Sequence, residues 1–382
     1  QNSANFKIMR ISRILGDGPC NFYHVLSRVI ERRFILGEQE QEHFRKLMRA
    51  QEAFSGVRVL TWNCMSNHFH MLLAVEDRES EVVQAELARL VDDDEAFLAR
   101  LKPLYASDVL DGIGKMLKVI RGREVDDESN AVGGGEDAVG GEDVFAMENP
   151  TLTTEEQIER FKRPYLDRLY DLSSFVGEIK QRFSQWYNLR SERNGPLWED
   201  RFKSVLVQGE SGVLATVAAY IDLNAVRAGI VKDPGEWRWC GYTEALKGQG
   251  IARNGVYEVL GELDAPRRDG EAWKKVHRRY RQLLMEEGRQ LRDEENRVVS
   301  KGLTPEEFEA EEARDFELSA PALLRHRVRY FVDGLALGSA AFVESVFEKN
   351  RVRMGVKRTC GARVPKAEMG GLHTLRDLRG KS

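Results

Sequence analysis

The chain has 382 residues, 42% of them hydrophobic and 31% charged, with a net charge of −4 and four cysteines. That length and apolar content support two or three domains with real cores and exclude a disordered or disulfide-stapled chain. No apolar run reaches the ~18 residues that span a bilayer, and the N-terminal stretch lacks a signal-peptide pattern. With Cys20, Cys64, Cys240 and Cys360 scattered and no CxxC pair, a zinc ribbon is excluded, no membrane partner is expected, and a reducing, cytoplasmic location is. The charge is uneven: residues 77–172 hold 24 acidic against 12 basic side chains, and the last 32 residues hold nine Lys or Arg against two acids. The acidic part reads as an insertion and the basic tail as an anion contact or a solvated end.

In chain order, "CNFYHVLSRV" (20–29) alternates in the strand period, with His24, Leu26 and Arg28 on one face. A helix follows over 37–56, with Phe44, Leu47, Met48 and Phe54 on one stripe. "VRVLTWNCM" and "HFHMLLAV" are β-rich runs joined at Ser66-Asn67, a hairpin with a tight polar turn. These make the first half of one domain, 20–76. Within the insertion, 77–172, the pattern predicts helices over 81–102 and 106–121 and a disordered Gly-rich acidic loop near 124–148.

Helical periodicity returns at 172–190, with Ser173 or Ser174 as the cap. "GPLWEDRFKSVLVQ" is a turn leading into a strand, and "SGVLATVAAYIDLNAVRAG" (211–229) is a helix ending at Gly229. This second half of the domain spans 173–247. The order β-α-β-β-(insertion)-α-β-α predicts an α+β fold, an antiparallel sheet of the split βαβ (ferredoxin-like) type backed by helices. Region 250–350 reads as helical, with a long charged helix over 270–298, an acidic stretch around 305–316, and a helix, Gly-containing turn and helix capped by Ser339. That last unit fits either a helix-turn-helix or a plain helical hairpin. The basic tail is 351–382.

Two features carry chemistry. Side chains at i and i+2 of a strand share a face, so His68 and His70 stand side by side while Phe69 and Met71 enter the core. Two such imidazoles chelate a divalent ion or serve as ordinary polar residues, and the pair alone does not decide. Tyr220 and Asn224 are one helical turn apart, which sets an amide beside a phenol on one face, although Tyr220 reads equally as an amphipathic core residue.

Three motifs occur in order: Asn67-His68-Phe69-His70; Gly195, Leu197, Trp198, Arg201 and Phe202; and Tyr220, Ile221, Asn224, Val226, Arg227 and Gly229, with Ala225 where Pro is usual. Together they resemble the REP-associated tyrosine transposases, single-tyrosine HUH enzymes of the IS200-like kind, over residues 20–76 and 173–245. The resemblance implies Mg²⁺ or Mn²⁺ held by His68, His70 and Asn224. It implies attack by Tyr220 on a phosphate of single-stranded, hairpin-bearing or palindromic DNA, giving a 5′-phosphotyrosine and strand transfer in DNA transposition. Arg201, Lys203 and Arg227 are the expected phosphate contacts, and Trp198 stacks a base or belongs to the core. His24 is expected to be structural or DNA-facing. A homodimer, with Tyr220 serving its own or the partner's histidine pair, is compatible with this frame. The long insertion and the C-terminal extension depart from the family pattern and bear on substrate choice. Two rival readings remain at this point, a non-catalytic single-strand nucleic-acid binder and a metal-dependent nuclease that uses water.

Overall fold

The computed structural model describes residues 13–122, 152–262, 270–287, 331, 334–354, 358–363 and 372–376. The segments expected to be disordered near 124–148 and acidic around 305–316 lie outside these. The chain divides into two compact units, one of residues 1–47, 58–77 and 179–382, the other of 48–57 and 78–178. The described helices are α1 (Glu38–Ser55), α2 (Glu81–Asp92), α3 (Asp94–Leu101), α4 (Ser107–Ile120), α5 (Thr154–Leu166), α6 (Leu172–Arg190), α7 (Ser211–Asp222), α8 (Asn224–Arg227), α9 (Gly241–Leu246), α10 (Gly250–Val259), α11 (Gly270–Glu287) and α12 (Ala340–Lys349). Among the described residues no helix is long and apolar enough to cross a membrane.

The first unit is built on one mixed sheet. Strands β1 (Cys20–Arg28), β2 (Arg58–Cys64), β3 (His68–Glu76), β4 (Lys203–Val207), β5 (Gly334–Gly338) and β6 (His373–Arg376) lie in the order β2-β3-β1-β4-β5-β6. The first four pair antiparallel in the split βαβ arrangement, and β5 then joins β4 in parallel and β6 antiparallel. The fold is therefore α+β, six strands backed by helices. Two expectations need correction here. "GLALG" (334–338) is a strand rather than a turn between helices, the helix expected before it lies outside the described residues but for Phe331, and part of the basic tail is strand β6. Ser339 does cap α12, its Oγ accepting from the Phe342 N–H.

The two sheet faces differ in what covers them. Phe69 packs on Phe44 of α1 and on Trp198, at ring-centroid distances of 4.6 and 5.4 Å. On the opposite face, Leu72, Ala74, Val205 and Val207 share a core with Val217 and Ile221 of α7, Tyr257 of α10 and Leu284 of α11. Helix α10 sits so close to β2 that a Cβ on Gly255 would lie 2.1 Å from Leu60 O and 2.9 Å from Leu60 Cα. Backbone cannot yield as a side chain can, so Gly255→Val should cost about 3 kcal/mol of stability or more. Gly250→Ala, which meets nothing within 4 Å, should cost almost nothing. Urea midpoints of the two variants test the difference.

The second unit has its own core of Val83, Leu90, Phe97, Leu101, Ile113, Leu117, Ile158, Phe161 and Leu166. The single helix expected over 81–102 is broken at Asp93, which is extended (φ −103°, ψ 105°) and whose carboxylate accepts from the Ala96 N–H. Three consecutive aspartates oppose the C-terminal dipole of one helix and suit the N-terminus of the next, which is why the break falls there. The Lys162 side chain is fully buried, donating to Leu90 O and Val91 O at 2.9 and 2.8 Å and pairing with Asp94. At the start of α6, Asp171 rather than a serine is the cap, accepting from the Ser174 N–H at 2.6 Å.

Candidate active site

Strand register assembles the site. Across the sheet, Arg28 stands opposite His68 and Leu26 opposite His70, while Lys203 and Asn63 extend the His70 row on either side. Opposed residues share a face. The face that is apolar at Leu72 and Ala74 thus turns polar at His70 and His68, at the end of the sheet where α7 crosses it. Asn63 Nδ2 donates to Ile221 O at 3.0 Å and Thr61 Oγ1 to Asp222 Oδ1 at 2.7 Å, which ties α7 to β2.

Each histidine has one ring nitrogen already assigned. His24 Nδ1 lies 2.7 Å from Phe331 O, an acceptor, so Nδ1 carries the proton and Nε2 the lone pair. That lone pair meets His70 Nδ1 at 2.9 Å, which must then donate and leaves the lone pair of His70 on Nε2. His68 Nδ1 likewise donates to Asn67 Oδ1 at 2.6 Å, leaving its Nε2 as an acceptor. Burial drives the His24 pKa down to about 4 and that of His70 well below the usual imidazole range, with the charges of His68, His24, Arg227 and Arg28 adding to the effect on His70. Neutral imidazoles that present an Nε2 lone pair are the form that binds a cation.

The donor set fits a divalent cation. The His68 and His70 ring centroids are 5.0 Å apart at 80°, about the spacing of two imidazoles on adjacent positions of one ion at ~2.1 Å from each nitrogen. Asn224 Nδ2 lies 3.4 Å from His68 Nε2, and a half-turn of that amide places Oδ1 there instead. Among the described residues no group of three or more His, Cys, Asp or Glu is placed to hold a metal, and His24 has both ring nitrogens engaged, by Phe331 O and His70 Nδ1.

Tyr220 stands beside this pair. Its ring centroid is 5.9 Å from that of His70 and 5.8 Å from that of His24, both edge-on. The side chain is buried, under Phe331 at 4.2 Å. Arg227 places its guanidinium 3.8 Å from the Tyr220 ring centroid and donates to Tyr220 O. The expected continuous helix is in fact α7 and the single turn α8, broken at Leu223 (φ −78°, ψ 1°), and Gly229 at φ +72° ends it as expected.

The structure thus gathers Tyr220, His68, His70, Asn224 and Arg227. Lys203 is exposed in the His70 row, and Arg201 is exposed in the loop before β4. The base-stacking role for Trp198 does not hold. It is buried against Phe69 and Phe183, and its Nε1–H donates to Lys180 O at 3.1 Å, so it is a core residue. Sequence reasoning left out Asn67 and Phe331 as partners of the site and did not see His24 as the partner of His70. Strand alternation put His24 on the correct face, but only register puts it one row from His70.

Asp222, two residues after the tyrosine, is buried and accepts from Thr61 Oγ1 at 2.7 Å and Tyr280 Oη at 2.5 Å. Burial raises its pKa to about 7 despite these donors. Its folded pKa lies above the unfolded value of ~3.9, so the folded chain binds more protons between the two, and stability falls as pH rises through that window. The contribution is complete below pH ~4 and lost by about pH 7, on the order of a few kcal/mol. Asp222→Asn should flatten this slope, as urea unfolding at pH 5 and pH 8 would show.

Comparison with known proteins gives the following. Residues 21–85 match the family model described as "Transposase IS200 like", a stretch that holds all but the first residue of β1, all of β3 and the histidine pair and stops before Tyr220. No curated protein matches. A solved structure described as a REP-associated tyrosine transposase bound to a REP hairpin is similar at 12% identity and a TM-score of 0.33, over 63% of this chain and 87% of that one.

Proposed function

We propose that this chain cleaves and transfers single-stranded, hairpin-bearing DNA through a covalent bond to Tyr220, as a single-tyrosine HUH transposase. The observation that carries the reading is the meeting of a tyrosine, two Nε2-presenting histidines and an asparagine amide, drawn from segments far apart in sequence, at one end of a sheet face. The match of residues 21–85 to IS200-like transposases supports it.

Mg²⁺ or Mn²⁺ held by His68, His70 and Asn224 would neutralise charge on the scissile phosphate, which a phenol with a pKa of ~10 needs of its target. Tyr220 Oη attacks phosphorus, so the P–Oη bond forms as the P–O3′ bond breaks. The phenol loses its proton and the leaving 3′ oxygen gains one. Arg227, over the ring and bonded to the Tyr220 carbonyl, fixes the ring and favours negative charge on it. The phosphotyrosine keeps the energy of the broken diester, so a second 3′-OH reverses the step and joins a new strand. Lys203 and Arg201 contact flanking phosphates.

The test is incubation with hairpin oligonucleotides and Mn²⁺, followed by a denaturing gel and mass mapping of any adduct. A 5′-phosphate linked to the Tyr220 peptide supports the proposal. Cleavage with no adduct means that water is the nucleophile, and binding without cleavage means a non-catalytic binder.

A further inference from the structure

The segment between β1 and α1 carries a feature that the mechanism does not use. Its two ends are fixed, with Val29 and Leu36 buried and their backbone N–H groups donating to Asn67 O and Ser66 O, both at 2.9 Å. Between these anchors Glu31 and Arg32 both adopt φ +56°, the left-handed region that side chains avoid. This turn leaves Arg32, Arg33 and Phe34 exposed, Phe34 at 80%. With Arg28, three arginines stand against the single acid Glu31 over residues 28–34.

The segment is joined to the histidine pair by one side chain. Asn67 accepts from His68 Nδ1 through Oδ1 at 2.6 Å and donates through Nδ2 to Arg32 O at 3.1 Å. An exposed ring that follows two arginines, next to a proposed site for a phosphodiester, has the chemistry of a single-strand subsite: a π-face for a base and guanidinium groups for phosphates. An isolated exposed apolar residue is ordinary. Here the anchors on both sides hold the ring out, and the turn that does so is bonded to a residue that orients His68.

We propose that Phe34 stacks on a base of the single-stranded DNA flanking the scissile phosphate, with Arg32 and Arg33 on its backbone, and that Asn67 keeps this subsite in register with His68. The inference rests on the proposed function but not on the covalent step, so binding is measured with the metal chelated. The probe is a hairpin oligonucleotide with thymidine flanks carrying one 5-iododeoxyuridine, moved position by position, on the full chain.

At one flank position the photocrosslinked peptide should contain Phe34. Phe34→Ala should weaken binding about tenfold and lose that crosslink, while Phe34→Trp retains both. Arg32→Ala with Arg33→Ala should lower the slope of log affinity against log salt by about 1 to 2. Phe34 is exposed, so the thermal melt of Phe34→Ala should match that of the wild type. Equal affinity of Phe34→Ala and wild type, with crosslinks elsewhere, overturns the inference and leaves the catalytic reading standing. No binding by the wild type overturns both.

Discussion

Tyr220→Phe should abolish strand cleavage, by ~10⁴-fold or more, while DNA binding and the fold are kept. The substitution removes one oxygen from a side chain held mainly by its ring. Contact with Phe331 at 4.2 Å and the Arg227 guanidinium at 3.8 Å both involve the ring face and survive, and so does the Arg227 bond to the main-chain carbonyl. The melting temperature should therefore move by only a few degrees. What is lost is the proposed nucleophile. Histidines 24 and 70 present ring edges or faces already engaged with each other. A denaturing gel with Mn²⁺ and an anisotropy titration of the same labelled hairpin separate the two quantities. Cleavage persisting in Tyr220→Phe would assign the chemistry to water and end the covalent proposal.

The sequence made the central strands, α1 and the placement of His68 and His70 legible because both rest on local periodicity. Strand alternation separates Phe69, in the core, from its two neighbours, and no tertiary information is needed for that. The failures share another cause. "GLALG" is short, has glycine at both ends and shows no alternation of polar with apolar residues, and what makes it a strand is the edge of β4, more than 120 residues away. Trp198 is left by the sequence between base stacking and core, and the packing of Phe69 and Phe183 on it decides for core. The dual role of Asn67 follows from a fold-back of the segment after β1 that local propensity does not encode, since it needs two left-handed residues without glycine. Phe331 reaches Tyr220 and His24 from the C-terminal extension, a contact beyond any spacing rule.

The two histidines should respond differently to removal, which tests whether the hydrogen-bond chain is real. His68 and its partner Asn67 are only half-buried, so His68→Ala should leave the fold nearly as stable as before. His70 is buried and is the partner of His24 Nε2. His70→Ala opens a cavity and strands a buried lone pair, at about 2–4 kcal/mol. Both variants should lose cleavage by ~10³-fold or more, because each removes one of the two proposed imidazole ligands. Thermal melts with and without Mn²⁺ then distinguish the effects. The wild type should gain stability as Mn²⁺ rises, by the linkage of binding to folding, and neither variant should. Only His70→Ala should start from a lower melting temperature. In the double variant His24→Ala, His70→Ala, the stability losses should fall short of additive, since the two residues share one hydrogen bond. Full additivity would mean that His24 and His70 do not form the pair on which the Nε2 assignment of His70 depends.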